Sequence, residues 1–358
     1  MTSPVLRLGT RGSALAMAQS QRVADALQDA TGRPVKLVDI VTPGDRSTEP
    51  VHRLGVGVFV SALRDALLAG EIDFAVHSYK DLPTAPHAGL HVAAVPPRED
   101  PRDALVARDG LTLTELPAGS RVGTGSLRRI AQLRALGMPL TVVPIRGNVD
   151  SRIRRMSGPE ADLDAVVLAY AGLSRLGRTR EISEILDPLL MLPAPAQGAL
   201  AVECRADDRE MRELLRVLDH MPTRLAITAE RAFLATLEAG CSAPVAALAV
   251  VAEGETGDEI YLRGAVISPD GSRDYRLSRS GGVPADGAAA LAAAEEIGRS
   301  LANDLLDAGA GGILDASRPA TGPDAGTVSD APVSSGAQAQ KDAPLPSGAQ
   351  TQDMGATE

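Results

Sequence analysis

VLRLGTRGSALAMAQSQRVADALQDATGRPVKLVDIV, residues 5–41, switches hydrophobic period twice. Val5 to Gly9 reads as a strand. Ser13 is placed to cap a helix running to about Ala30, with Leu15, Val23, Ala26 and Leu27 on its apolar side. Val35 to Val41 reads as a second strand. Strand, helix, strand in direct succession implies a mostly parallel sheet covered by helices.

The same alternation continues outward. A Gly- and Pro-containing loop from Thr42 to Gly57 leads to a helix over Phe59 to Ala69, closed by Gly70. Strands follow at Ile72 to Val76 and Leu90 to Val95. Pro96, Pro97 and Pro101 interrupt the pattern, and a second α/β unit begins. It has strands at Arg121 to Gly123, Leu140 to Ile145 and Ala165 to Leu168, and a helix over Leu127 to Leu136. Pro193 and Pro195 mark a second interruption before a strand over Ala199 to Cys204. Two proline-rich crossings describe a chain that leaves one domain, builds another and returns, which forms a cleft with a hinge.

The third unit has a helix from about Thr223 to Leu237, strands near Val245 to Val251, Ile260 to Ile267 and Asp274 to Ser280, and an Ala-rich helix from about Ala285 to Asp307. The expected domains are therefore 1–96 with 197–218, then 101–192, then 222–314. From about Ser317 the composition turns to Ala, Pro, Ser, Gly and Gln, with DAPVSSGAQAQ and DAPLPSGAQTQ as approximate repeats. Such a tail buries too little apolar surface to offset chain entropy and is expected to be disordered.

Composition narrows the function. Of 358 residues 44% are apolar and only 2% aromatic, so the cores must be mostly Ala, Leu and Val. The net charge of −10 argues against a nucleic-acid partner. No apolar run approaches the roughly 18 residues of a membrane span, and no signal peptide is evident, so a cytoplasmic setting is expected. Two cysteines, Cys204 and Cys241, make neither a disulfide framework nor a metal site, and the five histidines lack metal spacing. Between Arg121 and Arg180 lie 11 Arg, no Lys and 4 acidic residues, a local balance of +7 in an acidic protein. That concentration suits a defined anionic ligand, although a solvated basic face is the commoner meaning of a charge run. Only Lys36, Lys80 and Lys341 are lysines, so the preference for Arg holds along the whole chain.

Several turns combine groups that bind acids. Arg11 and Ser13 in GTRGSALA, and Ser126, Arg128 and Arg129 in VGTGSLRR, stand at strand-to-helix turns where backbone N–H groups favour anions. Arg146, Asn148 and Arg152 form a third such group in IRGNVDSR. Lys80 and Asp81 follow the carboxyl end of a strand, the ligand-binding end of an open α/β sheet. There they could equally be a surface ion pair. His77 reads as structural. Cys241 sits on a loop after a helix and Cys204 inside a strand. A buried apolar role is the usual fate of either. GVGVF at 55–59 lacks the third glycine and preceding strand of a dinucleotide fingerprint.

TRGSALA, DFAVHSYKDLP, REDPRDAL, GTGSLRR, IRGNVDSR, PAQGALAVECR and ERAFLATLEAGC occur in this order. Together they make the chain from about Val5 to Leu314 resemble the porphobilinogen deaminase, or hydroxymethylbilane synthase, family. The resemblance implies two periplasmic-binding-protein-like α/β domains joined by a hinge, plus a small C-terminal α+β domain. It implies a cytoplasmic, usually monomeric transferase of tetrapyrrole (heme) biosynthesis, using porphobilinogen, with no metal, nucleic acid or membrane partner. It places a dipyrromethane cofactor on Cys241 through a thioether and the catalytic carboxylate on Asp81. Cofactor and substrate acids would fall to Arg11, Ser13, Lys80, Thr124, Ser126, Arg128, Arg129, Arg146, Asn148, Arg152 and Arg175, with Gln19 and Gln197 lining the same cleft. The sequence departs from the family at Ala239, Ala243 and Val56, where relatives carry Gly, a β-branched residue and often Lys. Two other classes compete on the residues alone. A two-lobed binding protein explains neither Cys241 nor the third domain, and a redox protein lacks a C-x-x-C pair.

Overall fold

The computed structural model describes residues 4–41, 60–159, 161–239, 243–255 and 257–317. Val56, Cys241 and the tail beyond Ser317 lie outside the described residues.

The opening stretch forms β1 (Leu6–Thr10), α1 (Ala14–Thr31) and β2 (Val35–Asp39). The Ser13 hydroxyl caps α1 by accepting from the Ala16 N–H at 3.3 Å. Then come α2 (Ser61–Leu68), β3 (Phe74–Ser78) and β4 (Leu90–Ala94). The first sheet runs β2-β1-β3-β10-β4, with β10 (Leu200–Arg205) returning after the second unit is complete. Its core combines Leu8, Leu27, Phe74 and Val202 with Cys204, all buried.

The second sheet has order β7-β6-β8-β5-β9. Its strands are β5 (Asp103–Ala107), β6 (Arg121–Thr124), β7 (Thr141–Pro144), β8 (Ala165–Ala169) and β9 (Glu184–Ile185). Helices α3 (Leu127–Ala135), α4 (Val149–Arg154) and α5 (Tyr170–Arg175) follow β6, β7 and β8. The helix α6 (Arg209–Leu215) follows β10.

The mostly parallel sheet expected from the sequence needs correction. In each sheet two pairings are parallel and two antiparallel. The antiparallel pairs all involve a strand that begins where the chain crosses between the units, β5 or β10. Such a strand enters from the opposite end of the sheet. The third strand also lies two residues later than expected, over Phe74–Ser78.

The last unit is an antiparallel meander of β11 (Val245–Gly254), β12 (Gly257–Ile267) and β13 (Asp274–Gly282). It packs against α7 (Met221–Thr236) and α8 (Gly287–Asp307) through Phe233, Leu262 and Leu301. Gly298 lets α7 and α8 meet closely, because a Cβ there would lie 2.3 Å from the Ala229 carbonyl oxygen. A short α9 (Gly311–Ser317) ends the described chain.

Candidate active site

Each candidate acid-binding turn follows the carboxyl end of a strand. Arg11 and Ser13 follow β1, and Lys80 and Asp81 follow β3 in a single turn of 3₁₀ helix. Thr124 ends β6, and Ser126 opens α3 with Arg128 and Arg129 in its first turn. Arg146 and Asn148 follow β7, Arg152 lies in α4, and Arg175 ends α5 after β8. Parallel strands put their carboxyl ends, and the loops that follow, on one side of a sheet.

Lys80, Ser126 and Arg128 line one pocket together with Ala194, Pro195, Leu234, Ala243 and Val245. Lys80 comes from the first unit, Ser126 and Arg128 from the second, Ala194 and Pro195 from the return crossing, and the last three from the third. Ala243 brings the chain into this pocket two positions beyond Cys241.

Behind the pocket lies a buried charge network. Lys80 Nζ donates to Gln197 Oε1 at 3.2 Å. Gln197 Nε2 donates to the Pro101 carbonyl and to Asp103 Oδ1, each at 2.8 Å. The same Oδ1 accepts from Arg129 Nε at 3.0 Å and Nη2 at 2.7 Å, while Arg129 Nη1 donates to the Val167 carbonyl at 3.0 Å. Arg128 Nη1 pairs with Asp103 Oδ2 at 2.8 Å and donates to the Leu192 carbonyl at 2.6 Å. Asp103 and Gln197 are 0% exposed, Arg128 3% and Arg129 5%.

These surroundings set the titrations. Burial pushes the Lys80 ammonium down to about 8, with Asp81 and Asp103 opposing and Arg129 and Arg128 assisting. Burial alone would raise the Asp103 carboxyl, but Arg128 and Arg129 hold it well below the usual carboxylate range. Arg152 falls to about 10 through burial, then through repulsion from Arg129 and Arg146. Arg152 Nε is tied to the Gly147 carbonyl at 2.9 Å.

Other members serve the frame. Gln19 is buried and exchanges hydrogen bonds with Ser78 at the end of β3, at 3.0 and 3.2 Å. Thr124 Oγ1 accepts from the Ser126 N–H at 3.4 Å. Asn148 caps α4 through the Ser151 N–H at 2.8 Å. Arg175 Nη2 donates to the Gly198 carbonyl at 2.5 Å, and burial takes it to about 10. Arg11 is half-buried and Asp81 exposed. His77 is buried with Nε2 3.3 Å from Glu203, in keeping with a structural part. Cys204 is buried in the first core and its thiol is pushed up to about 11 by burial, which disfavours the reactive thiolate.

Among the arginines of these turns, two buried guanidinium nitrogens, Arg128 Nε and Arg146 Nη1, have no hydrogen-bond partner, as has Arg33 Nε elsewhere in the described chain. Unpaired buried donors are costly, so they mark places where an acceptor belongs. Dipyrromethane, whose pyrrole rings carry carboxylates, fits such a donor set. Among the described residues no group of three or more His, Cys, Asp or Glu could hold a metal.

Two family models cover almost all of the described chain. The porphobilinogen deaminase, dipyromethane cofactor binding domain matches residues 6–213, and the porphobilinogen deaminase, C-terminal domain matches residues 224–307. The chain belongs to the porphobilinogen deaminase family. It is 58% identical over 318 residues to the porphobilinogen deaminase of Nocardia farcinica, covering 87% of this chain and 89% of that one. It is likewise 58% identical over 320 residues to porphobilinogen deaminase 1 of Streptomyces coelicolor, covering 88% and 98%. Among solved structures, the methionine binding protein MetQ aligns over 59% of this chain and 88% of its own, at 14% identity and a TM-score of 0.39.

Two parts of this porphobilinogen deaminase site escaped the sequence reading. Asp103 was visible only as one acid in REDPRDAL. The signal available was an acid opening an apolar run, DALVA, in a chain whose basic segment has few acids to pair with. Glu230 is the second. Its carboxylate is 0% exposed, pairs with Arg98 at 2.6 Å and accepts from the Ala196 and Ala249 N–H groups at 2.6 and 2.7 Å.

Proposed function

We propose that the pocket lined by Lys80, Ser126 and Arg128 is where porphobilinogen rings are joined, with Asp81 as the catalytic carboxylate and Cys241 as the cofactor attachment point. The reaction itself follows from the family. It is the stepwise head-to-tail condensation of four porphobilinogen molecules, with loss of one ammonia for each, followed by cleavage from the primer by one water to give hydroxymethylbilane. Dipyrromethane, held by this domain, would supply the free α-carbon to which the first substrate ring is joined.

The residues divide the work by chemistry. Porphobilinogen carries an acetate, a propionate and an aminomethyl group. Its C–N bond breaks to release ammonia, and the methylene carbon left behind is cationic and conjugated with the pyrrole nitrogen. Asp81 stabilises that charge as it develops and accepts a pyrrole N–H hydrogen bond through a carboxylate oxygen. When the new C–C bond has formed, the ring that supplied the free α-carbon must lose its α-proton, and the same carboxylate is proposed to help move it. Arg128, Arg146, Arg152 and Lys80 bind the ring acids and fix each ring's position. Arg11, Ser13, Ser126 and Arg175 add to this binding, with Arg129, Thr124, Gln19, Asn148 and Gln197 holding the frame.

The observation that carries this reading is the partnerless buried Nε of Arg128, in a pocket the chain enters two residues past Cys241. The proposed domains are 1–96 with 197–218, 101–192 and 222–314, and the protein is proposed to act as a cytoplasmic monomer without a nucleic-acid or membrane partner. The test is turnover of porphobilinogen by purified protein together with the mass of its cysteine peptides. Ammonia release matched to tetrapyrrole formation, with added mass on the Cys241 peptide, supports it. Turnover with an unmodified Cys241 peptide overturns the attachment.

A further inference from the structure

We propose that Asp103 is a positioning residue for ring elongation: its single buried carboxylate holds Arg128, Arg129 and, through Gln197, Lys80 in one arrangement around the pocket. The proposal rests on the reading of that pocket as the polypyrrole site.

Adjacent helix residues point about 100° apart, so Arg128 and Arg129 would not by default share a partner. Asp103 makes them do so. It opens β5, where the chain first enters the second sheet, and it offers one oxygen to each arginine. Arg129 spends Nε and Nη2 on Asp103 and Nη1 on the Val167 carbonyl. Arg128 commits Nη1 and keeps Nε unpaired. Asp103 therefore decides which guanidinium edge is left for a substrate acid. On the other side it orients the Gln197 amide, whose oxygen receives the Lys80 ammonium. One carboxylate thus ties Lys80, in the turn after β3 of the first sheet, to the α3 residues that follow β6 of the second.

Stability gives a poor account of this arrangement. A buried ion pair often contributes no more than apolar residues of the same size would. An acid at the head of the apolar strand DALVA is better explained by what it orients. It also lowers the repulsion among cations that must sit together before any substrate acid arrives.

The experiment compares holoenzyme of the parent, Asp103→Asn and Asp103→Glu, with turnover normalised to covalently bound pyrrole. Asp103→Asn should keep its pyrroles and fold by circular dichroism. Its kcat should fall roughly tenfold or more while KM changes less than about threefold. The charged and titratable groups around Lys80 are Asp81, Asp103, Arg128 and Arg129. Losing the Asp103 charge disfavours the ammonium, so the alkaline limb of kcat/KM should move down by about half a pH unit to one. Asp103→Glu should keep the parent's alkaline limb, with an intermediate kcat. A purely structural role would lower Tm and yield but leave both kcat per bound pyrrole and the alkaline limb at parent values, and that result overturns the proposal. If Asp103→Asn does not fold, Asp103→Glu decides. A severalfold lower kcat with an unmoved limb supports positioning, and a parent-like kcat overturns it. A parent holoenzyme without bound pyrrole or turnover overturns the reading of the pocket, and this proposal with it.

Discussion

Asp81 is exposed in the turn after β3 while its neighbour Lys80 reaches back to Gln197. That division suits a carboxylate that meets the reacting ring and an ammonium that meets its acid side chains. A carboxylate about 4 Å from a developing cation contributes up to about 4 kcal/mol at an effective dielectric near 20. Each 1.4 kcal/mol is tenfold in rate, so folded Asp81→Asn should lose roughly a thousandfold in kcat. Asp81→Glu, displaced by one methylene, should retain a small rate above that. Steady-state kinetics decides, and turnover within about tenfold of the parent for Asp81→Asn would remove the carboxylate from the chemistry. Lys80 gives a pH dependence. Its ammonium is held near 8, so it is charged below that pH and neutral above it. Substrate affinity should weaken as pH rises through about 8, and Lys80→Arg should abolish that weakening. An identical alkaline limb in Lys80→Arg would assign it to another group. Lys80, Asp81 and the arginines were legible as candidates in the sequence because they cluster in turns at strand ends and fall within the motifs that carry the family resemblance. Asp103 was not, because an acid's burial and partners are made by folding, and nothing in its immediate neighbours shows that Arg128 will arrive from α3.

Among the elements, the two crossings meet in a tight backbone contact. Gly198 has φ +87° and a Cβ there would lie 2.3 Å from the Glu99 carbonyl oxygen, where the crossings touch. The Glu99 N–H donates to the Gly198 carbonyl at 3.3 Å, and the same carbonyl receives Arg175. Ala196, two residues earlier, is a non-glycine residue at φ +62°, held by its N–H to Glu230. Gly198→Ala adds both a left-handed backbone penalty and a clash, so it should destabilise by about 2 kcal/mol or more. Urea denaturation measures this, and an unchanged midpoint would mean the crossings yield freely. The prolines announced these crossings in the sequence. Helix α1, with its Ser13 cap, and the long strands of the last sheet were equally plain, because each keeps one period over many residues. Strand β5 was missed for the opposite reason. It is five residues long, begins with a charge and follows a proline run. β9, at two residues, is defined only by its partner.

For the molecule as a whole, the account is one of charge shared across three units. The net charge is −10, yet Lys80, Arg128 and Arg129 converge on the single carboxylate of Asp103, and Arg152 lies near enough to Arg129 and Arg146 to feel their charge. Each ring brings two acids, and on the proposed reading the same sites meet each ring as it is added. Loss of Arg152 should therefore do more than weaken binding. Native mass spectrometry of Arg152→Ala with substrate should show protein heavier by one, two or three substrate units accumulating. A raised KM with no accumulation would reduce this arginine to steering substrate. The most direct test of the whole account is the intact mass of the purified protein, followed by peptide mapping. The account predicts an excess equal to two linked pyrroles, found on the peptide containing Cys241 and absent from that containing Cys204. No excess, or an excess on the Cys204 peptide, would contradict it.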